Sequence, residues 1–364
     1  MKLKEITDFL ENLYPLQYQE SYDNSGLIIG NKNSEVNKAL ICVDVTEEII
    51  DEAIMTKSDL IISHHPIIFN SIKKINGNNL IERIIIKAIK NNISIYSAHT
   101  NLDNQKSGVN SILCKKLKLK NLNILSPKKD LLKKLICYCP NEYSKKLREA
   151  LFDAGAGYIG NYDCCSFNAD GTGTFRAGED TNPFVGAKGE LHYENETRIE
   201  MIFPFDKEGK IISTLINTHP YEEPAYDIYS LDNKYNNIGA GMIGELSKEY
   251  DETEFLKEVK KIINIKSIRH SKLLNKKIKK VAVCGGSGSF LINTAIAANA
   301  DIFLTADIKY HDFALAENKI IIADIGHYES EKFVKELLFN VLNKKFSNFA
   351  FFISKINTNY VKYL

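Results

Sequence analysis

The sequence lacks the features that mark membrane-spanning, secreted and nucleic-acid-binding proteins. No apolar stretch approaches the length that a membrane span needs, and the N-terminal MKLKEITDFLENL has no apolar signal-peptide core. The 47 Lys and Arg residues nearly balance the 46 Asp and Glu residues, so the net charge of +1 indicates no dedicated nucleic-acid surface. The basic runs KKLKLK and NKKIKK are short and typical of solvated faces, with a local polyanion site as the alternative.

The sequence also lacks a cysteine spacing that is typical of disulfides or of CxxC metal sites. The seven cysteines are odd in number and form no CxxC pair, and several stand inside apolar, strand-like runs. This usage is typical of reduced, buried thiols. We therefore expect a cytoplasmic protein without disulfides.

The first third of the chain alternates between strand-like and helix-like segments. With 364 residues the chain is too long for one ordinary core, so we expect two or three domains. The alternating segments are ALICVDV (39–45), TEEIIDEAIMTK, DLIISHH (59–65), NLIERIIIKAIKNN and ISIYSAH (93–99). Continuous apolar strands separated by helices predict an α/β fold with a parallel sheet covered on both faces.

The last third repeats this alternation in VAVCGGSGS, FLINTAIAANA, DIFLTAD and KIIIADIGHYESEKFVKELLFNVL. DLIISHH matches DIFLTAD, and SIYSAHTNLD matches IIIADIGHYESE, in the strand and in its polar end. The weak internal repeat predicts two similar βαβ-type halves, residues 1–126 and 236–364, that form one α/β domain.

The segment between the halves, residues 127–235, has a different character. KLICYCP, YDCCSFNADGTGTFRA, TRIEMIFPF and AYDIYSL are strand-like, and NEYSKKLREALFDAGAG and KEGKIISTLINTHP are helix-like. Their order, βαββαβ, is that of an α+β ferredoxin-like sandwich. We therefore expect a separate domain inserted into the first.

Five potential metal ligands follow three apolar strands. The carboxyl ends of strands form the ligand-binding crevice of open α/β sheets. Imidazole and carboxylate together suit divalent Zn, Mn, Fe or Co, and a carboxylate can bridge two ions. So few ligands for two ions would leave positions open to water and substrate, which favours catalysis. The candidates are His64, His65, Asp103, His327 and Glu331.

A lone histidine at a strand end is usually a packing or capping residue. The adjacent pair His64-His65 is harder to explain in that way, because only a turn lets neighbouring strand residues converge, and Pro66 ends the strand there. His99, Asp307 and His311 could orient the ligands or transfer protons, and a structural hydrogen bond is the equal alternative for each.

Two glycine-containing segments are ambiguous. CGGSGS (284–289) precedes a helix-like run and could cradle a phosphate through its backbone N–H groups, although it is neither a Walker motif nor GxGxxG. YDNSGLIIG (22–30) predicts a turn followed by a strand and has no role that composition indicates.

Taken together, these motifs resemble the Nif-three-like dinuclear metal-centre family, whose members are known as GTP cyclohydrolase I type 2 homologs. The resemblance covers nearly the whole chain. One departure is Tyr22, at a position where we expect Trp in the WDN pattern of the family. The markers, in family order, are YDNSGLIIG, SHHPIIF, AHTNLD, GAGMIGEL, CGGSGS, TADIKYHD and DIGHYESEKF.

The resemblance implies two divalent ions per subunit, a toroidal homohexamer and metal sites that face its internal cavity. Carried over residue by residue, it assigns the same five ligands, with Glu331 as the bridge between the ions. The inserted segment resembles a PII/CutA-like domain, a kind that trimerises and lies over the openings of the ring. We expect the loop HPYEEPAY, which contains His219, to be structural rather than metal-binding.

The function implied is a metal-dependent hydrolase that acts on a nucleotide or a related small molecule through a metal-activated water. Cyclohydrolase chemistry would require attack on C8 of guanine and proton transfer to ring nitrogens, for which His99 and Glu331 are the candidate catalytic residues. The alternative is a non-enzymatic ring that binds metal, or a scaffold whose inserted domain senses a ligand.

Overall fold

The computed structural model describes residues 1–364, which form two compact units. We term Met1–Pro127 together with Asn237–Leu364 the discontinuous unit, and Lys128–Asn236 the inserted unit. None of the helices is both long and apolar enough to cross a membrane. The predicted domain limits, 1–126, 127–235 and 236–364, stay predictions as far as independent folding is concerned.

The elements alternate along the chain. The strands are β1 (Gly26–Ile29), β2 (Lys38–Cys42), β3 (Leu60–Ser63), β4 (Ser94–Ser97), β5 (Lys120–Lys128), β6 (Leu132–Pro140), β7 (Phe167–Arg176), β8 (Leu191–Pro204), β9 (Tyr226–Leu231), β10 (Tyr235–Asp251), β11 (Arg269–His270), β12 (Lys277–Ser287), β13 (Ile302–Ala306), β14 (Ile321–Asp324) and β15 (Ala350–Ile353).

The helices are α1 (Leu3–Leu13), α2 (Glu47–Thr56), α3 (Leu80–Lys90), α4 (Thr100–Asp103), α5 (Val109–Lys116), α6 (Asn141–Ala154), α7 (Glu208–Thr218), α8 (Glu252–Ile263), α9 (Ile292–Ala297), α10 (His327–Glu331) and α11 (Val334–Lys345). Short 3₁₀ helices cover Leu16–Tyr18, Phe205–Lys207, Ser289–Leu291 and Tyr310–Ala316.

The first sheet of the discontinuous unit has the strand order β1-β4-β3-β2-β15. Its four strands from β4 to β15 run parallel, and β1 pairs antiparallel at the edge. Helices cover both faces, which explains the unbroken apolar runs of its central strands. Leu3 of α1 packs on one face with Ile62, and Ile49 of α2 packs on the other with Ile61.

The second sheet has the order β11-β14-β13-β12-β10-β5. Strands β12, β13 and β14 run parallel, in the same succession as β2, β3 and β4, which agrees with the internal repeat. Strand β10 is antiparallel to β12, and β11 is antiparallel to β14. Both sheets are therefore mixed rather than purely parallel, because antiparallel strands pair alongside their parallel cores.

The inserted unit has the predicted order, β6-α6-β7-β8-α7-β9. Its antiparallel sheet has the order β7-β8-β6-β9, and α6 and α7 pack on one face around Leu135, Leu147, Phe203 and Ile211. Likeness to a PII/CutA-like domain stays a prediction.

The seven cysteines are unpaired, as expected. Burial was predicted for these thiols, and the prediction is wrong for part of the inserted unit. Cys164 is exposed and Cys165 half-buried, because they lie in the loop between α6 and β7 rather than in a strand. The buried ones are Cys42, Cys114, Cys137, Cys139 and Cys284.

Candidate metal centre

Two neighbouring parallel strands, β3 and β4, bring the first potential ligands to one edge of the first sheet. His64 and His65 directly follow β3, and their backbone N–H groups both donate to the carbonyl of Val43, at 3.1 and 3.0 Å. The chain therefore turns here, and the two imidazole rings lie 4.9 Å apart between centroids. Asp103 ends the single turn of α4, which follows β4.

The other two predicted ligands come from the second half of the chain. His327 and Glu331 are the first and last residues of α10, which follows β14, so they project from one face of a helical turn. The preceding Gly326 has φ +86°, and a β-carbon there would overlap the carboxylate of Glu329. Glycine therefore permits the turn that begins this helix.

The other four predicted ligands converge on Glu331, whose side chain is only 3% exposed. Its Oε2 lies 3.0 Å from His65 Nε2 and 3.1 Å from His327 Nε2, and its Oε1 lies 3.8 Å from His64 Nε2. His64 Nε2 is also 3.6 Å from Asp103 Oδ1. The two oxygens of one carboxylate thus face two different sets of side chains.

Each imidazole is fixed through its Nδ1 atom. Since a carbonyl oxygen only accepts, the 2.8 Å contact with Ala98 O makes His64 Nδ1 a donor and leaves Nε2 with a lone pair in the neutral ring. Carboxylates play the same part for the other rings. The pairs are His65 with Asp44 at 2.7 Å, His99 with Asp23 at 2.7 Å, and His327 with Asp307 at 2.6 Å.

Imidazole and carboxylate groups of the centre pair with one another largely out of contact with solvent, and this pairing shifts their pKa values. Burial alone would lower the pKa of His65, but hydrogen bonds with Asp44 and Glu331 raise it to about 10. The pKa of His327 is likewise raised to about 11, because Asp307 and Glu331 outweigh burial. Burial would raise the pKa of Glu331, yet hydrogen bonds with His327 and His65 hold it well below its usual value.

Two further pKa shifts concern His64 and Asp103. Burial works against a charged His64, but the negative charges of Asp103 and Glu331 raise its pKa. Burial raises the pKa of the Asp103 carboxyl, which is the opposite direction from Glu331. Without a cation, the ionised form of Asp103 is therefore less favoured here than that of Glu331.

Two buried atoms of the centre lack any hydrogen-bond partner: His64 Nε2 and Asp103 Oδ1. Leaving a buried polar atom without a hydrogen-bond partner costs roughly 1–3 kcal/mol, so such atoms in a native protein usually contact a further partner such as a bound ion. A divalent cation satisfies both an imidazole lone pair and a carboxylate oxygen. These imidazole and carboxylate donors therefore fit a divalent metal ion.

Three groups of side chains bring their ligand atoms within 4.8 Å of one another and could hold metal ions. They overlap, so that His64, His65 and Glu331 each belong to two groups. One of the groups includes His99, which we predicted as an orienting or catalytic residue. The groups are His64, His65 and His99; His65, His327 and Glu331; and His64, Asp103 and Glu331.

Of the other two predicted accessory residues, Asp307 lies at the centre and His311 does not. Asp307 contacts His327 Nδ1, and the hydrogen bond from His327 lowers the pKa of Asp307. His311 is not brought to the centre: it lies exposed on the 3₁₀ helix after Asp307, with its ring 5.1 Å from that of Tyr310. The tight turn of this helix directs His311 toward solvent.

The glycine loop is not an open phosphate cradle. The N–H of Gly285 donates to Asn110 Oδ1 at 2.8 Å, and the N–H of Gly286 donates to Ser330 Oγ at 2.9 Å. Strand β12 extends through Ser287, and only the six-residue α9 follows after a 3₁₀ turn. The loop instead packs against the centre, since a β-carbon on Gly286 would overlap Glu331 Oε1.

Our sequence reasoning missed two carboxylates, Asp44 and Asp23. Asp44 is the second residue after β2, as His65 is after β3, so the strand-end rule could have found it. Asp23 lies in the YDNSG turn, where it also accepts hydrogen bonds from the backbone N–H of Thr100 and the hydroxyl of Ser25, at 3.0 and 2.9 Å. That turn, which had no predicted role, therefore holds His99 in place.

A cavity of about 850 Å³ opens beside the centre within the discontinuous unit. His65, His99, Asp103, His327 and Glu331 all reach its surface. A cavity of this size accommodates a small organic molecule next to the cluster.

Sequence comparison places this architecture among known proteins. The family model for Duf34/NIF3 (NGG1p interacting factor 3) matches residues 1–360. A protein of Halalkalibacterium halodurans named GTP cyclohydrolase 1 type 2 homolog is 41% identical over 334 residues, covering 91% of this chain and 89% of its own. A Bacillus subtilis protein of the same name is 38% identical over 365 residues, covering 98% and 97%.

Solved structures agree with the sequence relatives. A Bacillus cereus protein related to NIF3 superposes with a TM-score of 0.88 at 38% identity, covering 100% of this chain and 99% of its own. A Staphylococcus aureus protein superposes with a TM-score of 0.78 at 31% identity and the same coverage. The match over essentially the full length, in sequence and in fold, means that this chain belongs to the DUF34/NIF3 family.

Proposed function

We propose that this chain is a dinuclear metal protein and a metal-dependent hydrolase. The observation that carries the proposal is the pair of buried, unpartnered atoms, His64 Nε2 and Asp103 Oδ1, beside the buried carboxylate of Glu331. Polar atoms buried in this way without a partner favour a cation as the missing one.

Glu331 would be the bridge between two ions. Its Oε1 faces His64 and Asp103, and its Oε2 faces His65 and His327, so each oxygen belongs to a different set of ligands. The group that contains His99 makes this histidine a candidate ligand or proton carrier at the same centre. Zn, Mn, Fe or Co would suit these imidazole and carboxylate donors.

When bound, two divalent ions supply Lewis acidity and a water of lowered pKa. The residues of the chain do the remaining work. Asp44, Asp307 and the carbonyl of Ala98 hold three imidazoles with Nε2 directed inward. Glu331, buried and anionic, keeps the charge of the centre balanced, and the adjacent cavity positions a substrate against it. Of the two candidate proton carriers, His99 suits the role better, because both oxygens of Glu331 would be ligands and its pKa is held well below the usual value.

The proposed substrate class is based on the names of the relatives. Their name, GTP cyclohydrolase 1 type 2 homolog, and the cavity support a nucleotide or a related small molecule as substrate. A toroidal homohexamer in the cytoplasm, with the inserted unit as a PII/CutA-like domain, belongs to the same proposal. The βαββαβ order of that unit supports the last point, and native mass spectrometry tests the assembly.

The test uses purified protein loaded separately with Zn, Mn, Fe and Co. We expect two ions per chain and hydrolysis of a nucleotide with at least one metal, and we expect the hydrolysis to be lost in His65→Ala. The control is His311→Ala, because His311 is exposed and lies outside the centre. Two bound ions without turnover under any metal would favour the alternative, a non-enzymatic metal-binding or ligand-sensing ring.

A further inference from the structure

The segment that follows β15 runs beside the metal centre without regular secondary structure, and we term residues 354–363 the strap. It is fixed at its start, where the backbone N–H of Ser354 donates to the carbonyl of Ile41 at 2.8 Å and Ile356 packs on one core of the first sheet. Thr358 lies midway along and is only 6% exposed, although the residues on either side of it are more accessible. The strap is therefore packed against the discontinuous unit at this point rather than free in solvent.

The hydroxyl of Thr358 contacts the carboxylate that holds His65. Thr358 Oγ1 donates to Asp44 Oδ2 at 2.8 Å, and Asp44 Oδ1 lies 2.7 Å from His65 Nδ1. Each oxygen of this carboxylate therefore has its own partner, so the carboxylate cannot rotate without breaking one of the two hydrogen bonds. A carboxylate behind a ligating imidazole fixes the tautomer and the orientation of the ring. Thr358 thus acts on His65 through Asp44.

The next residue of the strap contacts α10, the helix that begins and ends with a potential ligand. Asn359 Nδ2 donates to Glu329 Oε1 at 2.8 Å, and Glu329 is the middle residue of this helix. Thr358 also has a hydrogen-bonding interaction with the side chain of Tyr328 in the same helix. A helix of five residues is marginal by itself, so contacts from outside it fix its position.

These contacts support one of the two ligand sets at Glu331. The strap-supported group, reached through Asp44 and through α10, consists of His65, His327 and Glu331. The other group, in which His64 and Asp103 join Glu331, is oriented from a different direction. There, His64 Nδ1 contacts the carbonyl of Ala98, which directly follows β4, and Asp103 ends the helix after it. A change in the strap should therefore affect the two groups unequally.

We propose that Thr358 and Asn359 are positioning residues for one ion of the centre, the ion that the strap-supported group holds. The inference rests on the proposed function and adds an asymmetry to it: disturbing the strap loosens this ion and leaves the other in place. Neither residue touches the ion, since Thr358 acts through Asp44 and Asn359 through Glu329.

Competition with a chromophoric chelator tests this in the full-length protein loaded with Zn or with Co, because it measures the affinity for each ion in turn. His327→Ala and Asp103→Asn identify the two ions, since His327 belongs only to the strap-supported group and Asp103 only to the other. In the Co form, the visible absorption bands of the two ions give a second, spectroscopic readout.

Thr358→Val keeps the shape of the side chain but removes the hydroxyl. We expect it to weaken the ion that His327→Ala also weakens by about 10-fold, as for the loss of an outer hydrogen-bond partner, and to leave the other ion unchanged. Thr358→Ser retains the hydroxyl and should restore the affinity. Asn359→Asp places a second carboxylate opposite Glu329 and should weaken the same ion. Thr358→Val combined with Asp44→Asn should cost little more than Asp44→Asn alone, because both act through one carboxylate.

Thr7→Val is the matched control. Thr7 is fully buried on α1, and its Oγ1 donates to the carbonyl of Lys4 at 3.2 Å, so this change also removes a buried hydroxyl from the discontinuous unit. We expect the affinity for both ions to stay at the wild-type value in this variant.

Equal weakening of both ions in Thr358→Val would overturn the inference, as would unchanged affinity for both, or an equal loss in Thr7→Val. Two ions bound with wild-type affinity in every strap variant would contradict the inference and leave the metal centre standing. Wild-type protein that binds fewer than two ions would contradict the proposed function. Hydrogen–deuterium exchange of the metal-free protein then decides the inference: peptides that cover α10 should exchange faster in Asn359→Asp than in wild type or Thr7→Val, and unchanged exchange would overturn it.

Discussion

His99 Nδ1 lies 2.7 Å from Asp23 Oδ1, across 76 residues of sequence, and this bond orients His99 toward the candidate metal centre. Asp23→Asn removes the charge and weakens the tautomer that leaves Nε2 available. We expect metal affinity or turnover to fall about 10- to 100-fold, the usual effect of losing such a partner.

The Asp23 prediction needs a readout beyond folding. Asp23→Asn combined with His99→Gln should cost little more than either change alone, because both act through one imidazole. Asp59→Asn is the control: Asp59 also accepts backbone N–H groups, from Asn37 and Lys38, but stands at the opposite end of β3. Additive losses in the double variant would contradict the positioning role.

Glu331→Gln should reduce metal content more than His64→Ala does. The amide keeps the size of the side chain but removes the charge that offsets repulsion between two close dications. His64→Ala removes one neutral ligand, and water can fill the vacancy. Metal per chain after identical dialysis is the measurement. Two ions retained in Glu331→Gln would rule out the bridging role.

Gly286→Ala should displace the Glu331 side chain although no predicted ligand is itself substituted. Gly286 has φ +64°, and an added β-carbon would overlap Glu331 Oε1. We expect loss of metal together with destabilisation of about 1–3 kcal/mol from the strained backbone. Gly178→Ala has nothing within 4 Å of its β-carbon and should be neutral. Unchanged metal content in Gly286→Ala would show that the loop does not support the carboxylate.

His219→Ala should destabilise the inserted unit and leave the metal content unchanged. His219 Nε2 donates to the carbonyl of Tyr138 at 2.9 Å, and its Nδ1 accepts from the N–H of Tyr221 at 3.0 Å. Both ring nitrogens are therefore occupied, and removing them costs about 1–3 kcal/mol. Thermal unfolding and metal analysis check the two halves of the prediction. A drop in metal stoichiometry would show that this histidine is a ligand after all.

Replacing 128–236 with a short glycine linker should leave a folded unit that binds metal. Every predicted ligand lies in the discontinuous unit, and Gly239 packs against the backbone of Ser126 and Pro127, so the cut ends are close. Metal content and circular dichroism of the shortened chain are the measurements. Unfolding, or loss of metal, would contradict the modular interpretation.

Strand-end logic explains why the convergence of the five potential ligands could be predicted. His64, His65 and Asp103 follow strands that are neighbours in one sheet, and the carboxyl ends of parallel strands must meet. The partner of His99 could not be found in this way, because Asp23 belongs to a turn whose position depends on the folded chain. The state of the glycine loop also depends on distant residues: Asn110 is 175 positions from Gly285.

His311 shows the limit of reasoning from proximity in sequence. It lies four residues after Asp307, yet a 3₁₀ helix begins between them at Tyr310 and directs His311 to solvent. Asp307 remains at the centre because it contacts His327 directly, at 2.6 Å. The direction of a side chain in a short irregular segment is set by local backbone geometry, which the residue types did not specify.

The C-terminal strand β15 pairs with β2, and Glu331 meets His65 across 266 positions. During synthesis, the ribosome must therefore release nearly the whole chain before the first sheet gains its last strand or the histidines meet their carboxylate. Contacts so distant in sequence slow folding and leave partial chains exposed to aggregation. A nascent chain that ends before Glu331 carries His64 and His65 without that partner, so premature termination should yield chains that fail to hold a complete centre.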